Sequence, residues 1–131
     1  MKQGATRTVT KSRHATAVAV EGRALLITGP SGSGKSALAL EMIALGAALI
    51  SDDQVMLTRE GDMVTASAPR VVLGGAKPLI EARGLGLIHV GEVAPPTPIV
   101  LIMDLDTEET ERLPQARAAS LLGVAIRSLR K

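Results

Sequence analysis

The sequence predicts an α/β domain in which a strand-rich sheet carries one packed helix, and three observations support it. Ala24-Leu25-Leu26-Ile27-Thr28 is an apolar run of strand length. It leads into Gly29-Pro30-Ser31-Gly32-Ser33-Gly34-Lys35-Ser36, after which Ala37 to Leu45 is built of strong helix formers. Beyond the helix, Gly and Pro cut the chain into short apolar runs, the pattern of strands rather than helices. At 131 residues the expectation is one domain spanning 1–131.

Taken in order, residues 1–13 are polar and basic without a clear period, so a flexible arm or an edge segment is expected there. Thr16 to Val20 reads as a strand, and Glu21-Gly22-Arg23 as a turn into 24–28, which makes a hairpin. The helix should stop near Leu45, with Gly46 as its C′ glycine. Ala47 to Ile50 is a short buried strand ending in Ser51-Asp52-Asp53, and a right-handed crossover should return it beside the strand at 24–28. Gln54–Arg59 and Asp62–Ser67 suggest a hairpin about Glu60-Gly61. Val71-Val72-Leu73 reads as a strand before Gly74-Gly75, and the stretch from Glu81 to Ile88 as a glycine-punctuated loop leading into a strand. After Pro95, Pro96 and Pro98, Ile99 to Met103 is the clearest strand of the second half. Leu121 to Val124 is the last core candidate.

Composition removes several classes of function. There is no Phe, Trp or Tyr, so the core must be aliphatic and no aromatic platform exists for stacking bases. With no cysteine, disulfides and thiolate metal sites are excluded. Glu41 and then Ser51-Asp52-Asp53 interrupt the longest apolar stretch before it reaches membrane-spanning length. The first ten residues lack the pattern of a signal peptide, so a cytoplasmic protein is expected. The net charge of +2 sits mainly in Lys2, Arg7, Lys11 and Arg13 and in Arg127, Arg130 and Lys131, read as solvated tails.

Residues 29–36 satisfy every fixed position of the Walker A pattern G-x-x-x-x-G-K-[ST], and do so between a strand and a helix. Backbone N–H groups at such a helix start face the phosphates of a nucleotide, and the helix dipole favours negative charge there. On this reading Lys35 reaches the outer phosphates of ATP, and Ser36 offers its hydroxyl to Mg²⁺. A carboxylate must assist the metal, and two apolar strands end in acids, at Asp52-Asp53 and at Asp104. A plain charged turn is the competing reading of each. His14 in isolation reads as a surface or structural histidine.

Together these pieces resemble the catalytic domain of HPr kinase/phosphorylase, which acts on a serine of the phosphocarrier protein HPr. The resemblance runs from about Arg13 to Leu122 on four features in order: His14, the loop 29–36, Asp52-Asp53, and Glu81-Ala82-Arg83-Gly84-Leu85-Gly86-Leu87-Ile88. The last is similar to the family signature E-I-R-G-L-G-I-I. The resemblance implies a P-loop-containing fold like phosphoenolpyruvate carboxykinase, with ATP and Mg²⁺ as cofactors. It implies that Asp53 accepts the serine proton with His14 supporting it, that Lys35 grips the transferring phosphate, and that Ser36 and Glu81 ligate the metal. Asp52, Arg83, Gly84 and Gly86 would support the site, and Arg112 would stand for a catalytic arginine.

The longer members have a separate N-terminal domain and a C-terminal stretch tied to dephosphorylation. Nothing corresponding is evident, so the expectation is a short form similar to those of α-proteobacteria. The resemblance also implies a hexamer, with HPr as partner and neither nucleic acid nor membrane. Two rival readings stay open. One is a small-molecule P-loop kinase, although no arginine-rich lid insertion is visible. The other is an ATP-sensing domain that transfers nothing.

Overall fold

The computed structural model describes residues 8–69, 79–82, 86–89, 91 and 93–131. The strand expected at Val71–Leu73 and the turn at Gly74-Gly75 lie outside the described residues, as do Arg83 and Gly84.

Two-residue turns build much of the sheet. β2 (Thr16–Val20) and β3 (Arg23–Thr28) form the expected hairpin, closed by Glu21 and Gly22, both at positive φ. That combination matches the right-handed twist of the paired strands. β5 (Val55–Glu60) and β6 (Met63–Ser67) form the second expected hairpin, with Gly61 in the turn. A third hairpin was not expected: β10 (Arg117–Leu121) and β11 (Val124–Arg130) turn at Leu122 and Gly123, again both at positive φ. Of the charged residues read as tails, Lys11, Arg13, Arg127 and Arg130 lie in strands, Lys131 follows the end of β11, and Lys2 and Arg7 lie outside the described residues. β1 (Val9–Arg13) carries Lys11 and Arg13 along the sheet edge beside β5, and Arg127 and Arg130 lie in β11.

The main sheet runs β1-β5-β6-β9-β3-β2-β4, where β9 is Thr97–Asp104 and β4 is Ala48–Ser51. β9 lies parallel to β3, and at its far end also pairs with β11. The helix α1 spans Lys35–Ala44 and ends at Leu45, with Gly46 at φ 114° beyond it, as expected. The crossover does not return β4 directly beside β3. β2 lies between them, antiparallel to both, because the tight β2–β3 hairpin already occupies that edge.

Alternation along the central strands splits the core in two. Ala17, Leu26 and Ile50 face a cluster with Val55, Leu57, Val64, Ile99, Ile102, Leu121 and Ile126. Their neighbours Val18, Ile27 and Leu49 face the opposite way, against Ala39 of α1 and Ile80. Successive strand residues point to opposite faces, so both faces must be covered. Small residues (Ala15, Ala17, Ala24 and Ala66 are fully or nearly fully buried) let the layers approach without aromatic rings. Ile80 belongs to β7 (Leu79–Ala82), which pairs with β8 (Gly86–His89). Glu81, Ala82 and Gly86 thus lie in strands, where a loop was expected; Ala82 and Gly86 form the last rung of that ladder. No helix of the described residues is long and apolar enough to cross a membrane.

Candidate active site

The loop between β3 and α1 is tight and its helix starts uncapped. Gly34 holds the N-cap position at φ 103°, no side chain hydrogen-bonds to close the turn, and no acidic residue lies in the first turn. The first N–H groups and the positive end of the dipole are left for another acceptor. Gly29 sits at φ 147°, and a Cβ there would lie 2.6 Å from Ser33 Oγ and 3.3 Å from Leu105 Cβ. Only glycine fits that position. Lys35, buried at the helix start, folds back so that its ammonium donates to the carbonyl oxygens of Gly29 at 2.7 Å and Pro30 at 2.9 Å. Ser33 Oγ is buried with no hydrogen-bond partner among the described residues. Such a group is costly to leave unsatisfied, and an oxygen-rich ligand in the loop would relieve it.

The second half of the site is the turn after β4. Ser51 Oγ donates to the Gln54 carbonyl at 2.5 Å, and the Ala15 N–H donates to the Asp53 carbonyl at 3.3 Å. Clamped this way, Asp53 adopts φ 73°, a left-handed conformation uncommon outside glycine. Strained backbone of this kind concentrates at functional sites. A bulge helps to aim the turn. Ala17 pairs with Ser51 and Val18 with Leu49, so Ile50 is the extra residue on β4.

The two consecutive acids then take different partners. Asp52 accepts the Ser36 hydroxyl at 3.0 Å on Oδ1 and 3.1 Å on Oδ2, and accepts Thr16 Oγ1–H at 2.7 Å. Asp53 Oδ1 lies 3.2 Å from His14 Nδ1, and this pair is open to solvent, His14 at 50% and Asp53 at 81% side-chain exposure. One acid faces the loop and helix while the other faces water. His14 also borders a cavity of about 410 Å³, which runs past Gly29 and Pro30 to Asp104 at the end of β9.

Magnesium takes hard oxygen ligands, commonly one or two carboxylates together with substrate phosphates. The Ser36 hydroxyl and Asp52 carboxylate are donors of that kind, already in contact, so the residues fit such an ion. Among the described residues, no group of three or more His, Cys, Asp or Glu side chains could form a cage. The fit therefore rests on Ser36 and Asp52.

Of the residues expected from sequence, the structure brings together His14 with Asp53, Ser36 with Asp52, and Lys35 with Gly29 and Pro30. The backbone of Glu81 lies in β7 opposite Leu87. Arg112 is exposed in the connection between β9 and β10, and no hydrogen bond or ion pair among the described residues ties it to the site. Sequence reasoning missed Thr16, which reads as an ordinary strand residue; its burial and its partner Asp52 emerge only in the fold.

The family described as HPr Serine kinase C-terminal domain matches residues 6–130. The chain belongs to this family. It is 47% identical over 77 residues to the HPr kinase/phosphorylase of Mycoplasmopsis pulmonis, covering 59% of this chain and 24% of that protein. Over 104 residues it is 39% identical to the HPr kinase/phosphorylase of Limosilactobacillus reuteri, covering 74% and 31%. With that of Geobacillus thermodenitrificans the identity is 38% over 110 residues, covering 79% and 34%. The HPr serine kinase domain seen here thus spans about a third or less of the length of these curated relatives. Its fold is similar to the solved structure of the Hpr(Ser) kinase/phosphatase from Coxiella burnetii, at TM-score 0.73 and 25% identity, covering 92% of this chain and 78% of that one. The expectation of a strand-rich α/β fold of this family is met.

Proposed function

We propose that this chain is an ATP-dependent protein-serine kinase acting on HPr, with the reverse attack of phosphate on phosphoserine-HPr running over the same groups. The carrying observation is the division of labour between the two acids, one on Ser36 and the other on His14. Family membership and the Walker A loop support ATP as the donor. As the resemblance implies, the working form would be a cytoplasmic homo-oligomer, with Glu81 and Arg112 completing the site.

In the forward direction the serine oxygen attacks the γ-phosphorus, and the bond between that phosphorus and the ADP oxygen breaks. Asp53 takes the serine proton, and His14 holds the Asp53 carboxylate in place. Lys35 draws charge from the transferring phosphoryl group, while the N–H groups at the start of α1 bind the inner phosphates. Ser36 and Asp52 would hold a Mg²⁺ ion, which would supply positive charge against the negative charge that develops during transfer. The base needs little enhanced basicity, because the transition state is loose and the hydroxyl proton leaves late. The cavity beside His14 and Pro30 gives the acceptor segment a way in.

Incubation with γ-labelled ATP, Mg²⁺ and purified HPr tests the reading. Label on an HPr serine is the expected result. Label on a small metabolite, or nucleotide binding without any transfer, would overturn it.

A further inference from the structure

We propose that Thr16 is a positioning residue for the metal-binding pair Ser36–Asp52, a deepening that rests on the function proposed above. Thr16 is fully buried at the first position of β2, and its Oγ1 donates to Asp52 Oδ1 at 2.7 Å. Its distance is the shortest of the three hydroxyl contacts to that carboxylate, the two from Ser36 being 3.0 and 3.1 Å.

The arrangement is asymmetric in a useful way. Ser36 must present its oxygen to a cation, so it cannot be the group that also fixes the Asp52 rotamer. Thr16 can, because it lies inside the sheet. Among the described residues Asp52 is the partner this buried hydroxyl meets, and losing it would leave a buried donor unsatisfied, so the contact is strongly favoured. Its χ1 is stiff, since the β-branched side chain is packed in a strand. The bulge at Ile50 brings the end of β4 into register with this hydroxyl. The same strand entry gives His14 to Asp53, so two residues of one segment orient both acids. Partners outside the metal's own ligands commonly govern metal affinity by tenfold or more.

The test compares ATP affinity with Mg²⁺ and with EDTA, by calorimetry, in the full chain and in Thr16→Val. Valine keeps the branched shape and puts a methyl group in place of the hydroxyl. Wild type should bind ATP more tightly with Mg²⁺. Thr16→Val should lose about tenfold of that gain while binding metal-free ATP as wild type does, and Thr16→Ser should restore it. A purely structural role would lower both affinities equally, and that result overturns the proposal. So does a Mg²⁺ gain that Thr16→Val retains, or one that Thr16→Ser fails to restore. Should the valine variant not fold, Thr16→Ala carries the same comparison. A wild-type protein that gains nothing from Mg²⁺ overturns the metal reading of the site and this inference with it, whereas a retained gain in Thr16→Val overturns the inference alone.

Discussion

Two strands end in acids beside the same loop, and they use them differently. β9 is the direct neighbour of β3, so Asp104 pairs with Thr28 one residue before the loop. β4 is one strand further away, with β2 between. By proximity in the sheet, Asp104 should be the acid that serves the loop. Yet its Oδ1 is taken up within its own turn, accepting the N–H of Asp106 at 2.8 Å and of Thr107 at 3.3 Å. The more distant strand delivers Asp52 to Ser36 instead. Strand order places a carboxylate near a site; the partners it meets there set Asp52, on Ser36 of the loop, apart from Asp104, on the N–H groups of its own turn.

The largest effect should come from the β4 end. Asp53→Asn keeps the size and the turn, since asparagine also tolerates positive φ, but cannot accept a proton. Serine phosphorylation should fall by about 10²–10⁴-fold, with ATP affinity near wild type; near-normal transfer would remove Asp53 as the base. Next, Asp52→Asn should cut the Mg²⁺-dependent gain in ATP affinity by about 10–100-fold, measured by calorimetry with and without EDTA. A variant of Asp52 that binds Mg²⁺-ATP normally would erase the contrast with Asp104.

How far the sequence reaches is clearest at these same corners. The loop and helix were legible because glycine, lysine and serine at fixed spacing leave few alternatives, and Gly29 indeed has no room for a Cβ. The β2–β3 hairpin was legible because Glu21-Gly22 falls between two apolar runs. The place of β4 was not: a crossover rule fixes handedness but does not say whether a hairpin partner already lines the edge. The β10–β11 hairpin was hidden because Leu122-Gly123 is an apolar turn, so leucine there reads as core rather than as a residue at φ 49°. Thr16 was hidden for a different reason. A threonine in a strand is unremarkable until the residue facing it is known, and that residue is 36 positions away.

On the β9 side the effects should be small and confined to stability. Asp104→Asn retains a carbonyl acceptor for the turn and removes only the charge, so both transfer and Mg²⁺ response should stay near wild type. Asp104→Ala removes the acceptor as well and should cost about 1 kcal/mol, read as a lowered midpoint in thermal or urea unfolding. If Asp104→Asn abolished the Mg²⁺ response, the acid nearest in the sheet would be the functional one after all.

The smallest expected effect lies a few residues on, in the strap that ties this connection to β10. Glu109 accepts the Glu111 N–H at 3.0 Å and pairs with Arg117, while its own N–H donates to the Lys131 carbonyl at 2.6 Å. The Glu111 N–H foremost holds the Glu109 carboxyl below its ordinary value of 4.5; desolvation opposes it, and the Arg117 guanidinium lowers it further. A carboxylate with a depressed folded pKa contributes stability that is present above its unfolded value and is lost as pH falls through the folded one. Glu109→Gln should therefore be less stable than wild type at neutral pH, with the difference narrowing as acid protonates the wild-type carboxyl below 4.5. Urea midpoints of the two proteins taken across that range would show it. A difference that stayed constant with pH would mean that the strap holds by packing and by the backbone bond to Lys131 rather than by charge.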